Sequence, residues 1–190
     1  MSDQVIRGAA RVATLVAVPA ALLAGVLVFW LLGGVPSGAA GGGSPSPSPR
    51  PQSTAPVEMA APPLSEREAA VCRALLSRLP RTLRNLPQRP VTAGAEQNAA
   101  YGDPPITVAC GGQPASYPLD ALLWGMSRVC WYAEEHPDRS VWTTVDREVP
   151  VRVTVPAQYE GAGDWVNEFG SILVATVPPK PAEEMPSGCR

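Results

Sequence analysis

Hydrophobic and polar positions divide the chain into three regions. From Val12 to Val35 there is no charged side chain, and Ala, Leu and Val dominate. A helix rises about 1.5 Å per residue, so roughly 20 apolar residues cross a hydrocarbon core about 30 Å thick. The run predicts a transmembrane helix over residues 12–35. Pro19 and Gly25 are tolerated in such helices, and Trp30 near one end suits the interface. Arg7 and Arg11 precede the run, whereas the residues just after it carry no Lys or Arg. That asymmetry predicts a single-pass plasma-membrane protein with a cytoplasmic N-terminus, residues 1–11, and an exported remainder. A cleaved signal peptide is the rival reading, with Ser37-Gly38-Ala39 as a small-residue site. The run is longer than the roughly 7–15 residues of a signal core, which favours the uncleaved anchor.

From residue 36 to 63 the pattern vanishes. Gly, Ala, Ser and Pro fill the segment, only Arg50 and Glu58 are charged, and Ser44 to Pro49 is a strict Ser-Pro repeat. Such a stretch lacks the apolar side chains that offset ordering entropy, which predicts a disordered linker over 36–63.

Periodicity returns at residue 64, and 64–190 is long enough for one domain with a core. Ser65 and Glu68 form a capping-box pattern, followed by Cys72, Leu75, Leu76 and Leu79 at helical spacing, with Leu83 and Leu86 continuing the stripe. Pro80 kinks that helix or starts a second one. After a polar loop from Gln88 to Pro105 come four β-like runs: Ile106–Cys110, Val129–Glu135, Ser140–Val145 and Val149–Val155. His136-Pro137-Asp138-Arg139 suits a hairpin turn between the second and third runs. Trp165, Val166, Phe169, Ile172 and Leu173 then repeat at helical spacing behind an expected N-cap at Asp164. The predicted fold class is α+β: an antiparallel sheet of about four strands with helices on one face.

Charge narrows the function. Residues 64–190 hold 12 basic and 15 acidic side chains, which argues against a nucleic-acid partner. The expected partners are the lipid bilayer, through residues 12–35, and an envelope protein or cell-wall polymer. All four cysteines, Cys72, Cys110, Cys130 and Cys189, fall on the side expected to be exported, where disulfides persist. Four cysteines allow three pairings, and spacing does not choose among them. The preferred pairs are Cys110 with Cys130, closing a short loop, and Cys72 with Cys189, pinning the tail to the first helix. No Cys-x-x-Cys spacing marks a redox pair, and the spacings are too wide for a zinc site, so neither a metal nor another cofactor is expected.

Candidate chemistry is sparse. His136 is the only histidine and falls in a turn, far from the held imidazole of a hydrolytic triad. Glu134 and Glu135 are adjacent on a strand and point to opposite faces. Asp146 and Glu148 bracket a turn and are the only carboxylates expected to converge. Trp131 and Trp142 lie on neighbouring strands: buried, they anchor the sheet; exposed, they form a platform for a sugar ring or a peptide. Gln97, Asn98 and Tyr101 place amide and phenol groups on a loop, where recognition residues concentrate.

Several of these stretches resemble an actinobacterial family of single-pass membrane proteins of unknown function, DUF family 3515. The resemblance runs through Cys72-Arg73-Ala74-Leu75-Leu76, Ala99-Ala100-Tyr101-Gly102-Asp103-Pro104, Cys110-Gly111, Val129-Cys130-Trp131-Tyr132 and Trp142-Thr143-Thr144-Val145-Asp146-Arg147, over roughly Val71 to Pro178. It implies topology and an envelope location, and it brings no catalytic residues. The expectation is therefore a non-enzymatic envelope binding or interaction module. Its rivals are a carboxylate-dependent wall hydrolase using Asp146 and Glu148, and a thiol-redox protein using two of the cysteines.

Overall fold

A computed structural model describes residues 52–189 and, before them, Leu27 alone. Among the described residues no helix is long and apolar enough to cross a membrane. The expected cytoplasmic segment 1–11 lies outside them, as do the expected transmembrane helix 12–35 apart from Leu27 and the linker up to residue 51.

The α+β expectation with about four strands is corrected: the domain is built mainly from a single sheet of eight strands, with short helices. In chain order the elements are helix α1 (Glu66–Arg78), then β1 (Thr82–Leu83), β2 (Leu86–Arg89), β3 (Asn98–Tyr101), β4 (Ile106–Cys110), β5 (Leu123–Met126), β6 (Val129–Glu135), β7 (Arg139–Thr144) and β8 (Val151–Pro156). Helices α2 (Ala162–Asn167) and α3 (Gly170–Thr176) follow, with 3-10 turns at Ala182–Glu184 and Ser187–Cys189. The spatial order is β1-β2-β3-β4-β8-β7-β6-β5, and every neighbouring pair is antiparallel.

Helix α1 starts as its sequence dictates. The Ser65 hydroxyl accepts from the Glu68 amide at 3.3 Å, and the Glu68 carboxylate accepts from the Ser65 amide at 2.9 Å. It stops at Leu79, because a residue before proline is driven out of the helical region. Leu83 and Leu86 therefore do not extend the helical stripe. They face each other across the tight β1–β2 hairpin, where Arg84 takes a positive φ of 53°. Phe169 and Asp164 also depart from expectation. Gly161, at φ 67°, caps α2, Asp164 sits in its first turn, and a break near Phe169 separates α2 from α3.

One face of the sheet carries the core. Tyr101, Ile106, Val108, Val151, Val153, Val155, Trp131 and Trp142 pack with Leu75 of α1, Val166 of α2, Phe169, and Leu173 of α3. Face parity then settles the cysteines, and the preferred pairing is corrected on both counts. Cys110 stands opposite Val151 on the core face of β4 and bonds to Cys72 on the buried side of α1, with Cα atoms 5.5 Å apart. Cys130 lies between the core residues Val129 and Trp131, so the two-residue period turns it to the opposite face. There it bonds to Cys189 in the tail, Cα to Cα 5.7 Å.

The last part of the expected linker, residues 52–63, is also corrected: it is a strap laid along the β2–β3 side of the sheet. Val57 is buried and bridges to Val91. Arg89 donates from Nη2 to the Ala55 carbonyl at 2.7 Å, and Asn98 donates from Nδ2 to the Ala60 carbonyl at 2.9 Å. The folded unit accordingly begins near residue 50, not at 64.

Candidate functional site

The residues singled out for binding go mostly to structural duty. Trp131 is fully buried and Trp142 is 5% exposed. They sit diagonally on the same face, because Trp131 pairs with Thr144 and Ala133 pairs with Trp142. Tyr101 is buried on β3, its hydroxyl donating to the Pro80 carbonyl at 2.9 Å, and burial pushes its pKa up to about 12. Gln97 and Asn98 are buried too. Gln97 Nε2 donates to the Pro62 carbonyl at 3.2 Å, and Asn98 Nδ2 donates to the carbonyls of Ala60 and Ala93. The amide groups expected on a recognition loop hold the strap instead.

The candidate catalytic groups do not converge. Asp146 is buried against Arg147, Oδ2 to Nη2 3.3 Å, and Arg147 also donates to the main-chain carbonyls of Val177 and Arg128. Glu148 turns away to Arg67 at 2.8 Å on the surface. Glu134 and Glu135 pair with Val141 and Ser140 on alternate sides, as the strand period requires. His136 lies in the β6–β7 hairpin turn, its amide bonded to the Arg139 carbonyl at 2.8 Å. All four cysteines are in disulfides. Among the described residues no group of His, Cys, Asp or Glu could hold a metal ion.

What the fold leaves open is a groove of about 810 Å³ at the β5 end of the core face. Its construction begins in the β5–β6 turn. Ser127 and Arg128 both take positive φ, 47° and 63°, as a two-residue hairpin turn requires. That turn sets Met126 opposite Val129 and Trp124 opposite Trp131. Trp124 therefore belongs to the core face, yet β5 is the last strand of the sheet and its indole stays 46% exposed. The Trp124 and Trp142 rings stand 6.1 Å apart at 57°. Trp142 is held by its own Nε1–H donating to Ser140 Oγ at 3.0 Å, and its cross-strand neighbours are Val153 on the β8 side and the small Ala133 on the side of the groove.

The opposite wall is the start of α2. Gly161 turns the chain into it, and Gly163 faces Met126 and Trp142: a Cβ there would make ordinary van der Waals contact with both, at 3.6 Å. Tyr159 closes one end, with its ring 5.1 Å from Trp165 and its hydroxyl donating to the Pro104 carbonyl at 2.7 Å. Burial and the nearby Asp103 carboxylate raise the Tyr159 pKa. Glu135, Glu160 and Asp164 line the rim. The Arg139 guanidinium, also at the rim, is paired with Asp138 at 2.8 Å. Leu122 lines the groove and is itself exposed, and Leu119, three residues before it, is also exposed. The groove thus combines aromatic walls with an acidic rim, and His136 of the β6–β7 turn lies among its lining residues. Of its members Trp142, Glu135 and His136 stood out in the sequence. Trp124, Met126 and Tyr159 did not, because the signal is the hairpin register, carried by a turn of two non-glycine residues.

A family model for proteins of unknown function, DUF3515, matches residues 16–182, extending well beyond the Val71–Pro178 stretch that carries the sequence resemblance. No curated protein and no solved structure matches the chain. With most of its length matched, the chain belongs to the DUF3515 family.

Proposed function

We propose that the chain is a non-enzymatic binding module of the cell envelope, displayed on the outer side of a plasma membrane, and that it binds through the Trp124 groove. The observation that carries the binding reading is Trp124 itself, a large indole left 46% exposed beside a second indole in a cleft. Buried aromatic anchors with polar rims dominate binding energies elsewhere. The location rests on the uncharged run 12–35 with Arg7 and Arg11 before it, and on two disulfides, which persist in oxidising compartments. Neither rival has an observation in its favour, since Asp146 and Glu148 bind different arginines and every cysteine is paired.

The test is a photo-crosslinking amino acid placed at Leu122 in the full-length protein in living cells, with the same group at Glu184 as a control. A discrete envelope adduct from position 122, missing from position 184 and lost with Trp124→Ala, is expected. Adducts that ignore both the position and Trp124 would overturn the groove as the binding face.

A further inference from the structure

We infer that the occupant of the groove is an extended peptide segment that inserts a Lys or Arg side chain between Trp124 and the acidic rim. The inference rests on the groove reading above and names the chemistry the groove selects.

Charge complementarity comes first. Glu135, Glu160 and Asp164 line the groove, and none of the three carboxylates is in an ion pair among the described residues. The one guanidinium at the rim, Arg139, is paired with Asp138. The groove thus presents negative charge beside aromatic faces. An indole face attracts a cation through its quadrupole, and a carboxylate within reach adds a charge-assisted hydrogen bond.

The protein shows the same chemistry next door, already satisfied. The Arg84 guanidinium lies 4.4 Å over the Trp165 ring while its Nε donates to Glu168 at 2.9 Å and its Nη2 to the Asp164 carbonyl at 3.1 Å. Trp165 is the neighbour of Asp164 on α2, and it packs on Tyr159, the end wall of the groove. An indole and a carboxylate in this part of the fold therefore hold a guanidinium. In the groove, Trp124 and the rim carboxylates offer those partners without a cation of their own.

The peptide form follows from the surroundings of Trp124. Among the described residues β5 pairs only with β6, and its terminal position offers a strand edge to an extended chain. Leu122 in the groove lining, with Leu119 three residues before it in the chain, adds exposed apolar side chains suited to apolar residues flanking the inserted cation. A neutral sugar can stack on the indole and donate hydroxyls to the carboxylates, but it leaves their negative charge unbalanced and the two leucines uncovered.

The experiment uses the full-length protein in detergent and three probes. These are a fluorescein-labelled alternating Leu/Lys hexapeptide, its Leu/Glu counterpart, and a labelled hexamer of N-acetylglucosamine, each followed by anisotropy. The Leu/Lys peptide is expected to bind and the other two not. Trp124→Ala should weaken binding roughly tenfold. Glu135→Gln with Glu160→Gln should weaken it about threefold to fivefold at low salt. Glu183→Gln with Glu184→Gln, the same charge change in the tail, should leave it unaltered. All these side chains are exposed, and circular dichroism verifies that each variant folds. Preference for the oligosaccharide, or Leu/Lys binding equally sensitive to the tail variant, would overturn the cationic occupant. If none of the probes binds while the Leu122 crosslink still forms in cells, the cation inference fails and the groove reading stands. If the crosslink also vanishes, both fail.

Discussion

The two ends of the core sheet treat similar chemistry in opposite ways. At the β3 end, Gln97, Asn98 and Tyr101 are polar groups of the kind that recognise ligands, yet all are buried and bonded to the carbonyls of Pro62, Ala60, Ala93 and Pro80. At the β5 end, Trp124 is of the kind that fills cores, and it faces the same side as the core residue Trp131 but remains half open. The difference is cover. The strap 52–63 lies along the β2–β3 side, whereas at Trp124 the sheet simply ends. Availability for binding is set by position in the sheet order, and residue type alone is a poor guide to it.

The largest test of that contrast replaces each of two paired tryptophans. Trp131→Ala empties a fully buried site and should cost about 3–5 kcal/mol, a large part of a domain's stability, read as a shift in the urea midpoint. Replacing both Cys72 and Cys110 by Ser opens a bridge spanning 38 residues and should cost about 4 kcal/mol by chain entropy, read the same way. A midpoint shift for Trp131→Ala as small as that expected for Trp124 would mean the core does not extend to β6.

The strands that were legible in the sequence, β4, β6, β7 and β8, are β-branched or aromatic runs, and β8 alternates Val151, Val153 and Val155 with Arg152 and Thr154. Of the four missed strands, β1 is only Thr82 and Leu83, and the other three, four residues each, carry Pro87, Asn98, Ala99, Ala100 or Gly125, all poor strand formers. β3 gives no alternation because all four of its residues are buried. The cysteines announced disulfides but not their pairing, since pairing depends on which face Cys110 and Cys130 occupy. Trp124 was invisible as a site for a related reason. Its role comes from a register set by Ser127 and Arg128 and from β5 being terminal.

Tyr101 offers a pH test of the covered end. Its folded pKa, pushed up to about 12, lies above the unfolded value near 10. The contribution of the neutral phenol is fully present below pH 10 and is lost as pH rises through 12, on the order of 2 kcal/mol in all. Tyr101→Phe should flatten the fall in stability across that alkaline window, measured by urea unfolding at stepped pH. A fall equally steep in the variant would show the phenol ionises as freely when folded as when unfolded.

Smaller effects follow at Asn98. Asn98→Ala removes the donor shared by Ala60 and Ala93 and should cost about 1–3 kcal/mol. Amide exchange should quicken at Val57 and Met59 while β5 and β6 stay protected. Exchange that quickens evenly over the whole domain would mean the strap is not a separate layer of cover.

Trp124→Ala is the smallest change in stability and the most telling. Trp124 already loses part of its burial to solvent, and its removal opens an existing groove more than it creates a closed cavity. The cost should be about 1 kcal/mol, because half of the indole already faces solvent and what is lost is mainly its pairing with Trp142. Binding at the groove should nevertheless fall roughly tenfold, as expected for an aromatic anchor. The two readouts must separate, because a residue that only packs would move both together. A urea midpoint shifted as far as for Trp131→Ala would place Trp124 in the core by function as well as by register. The open end of the sheet would then be no different from the covered one.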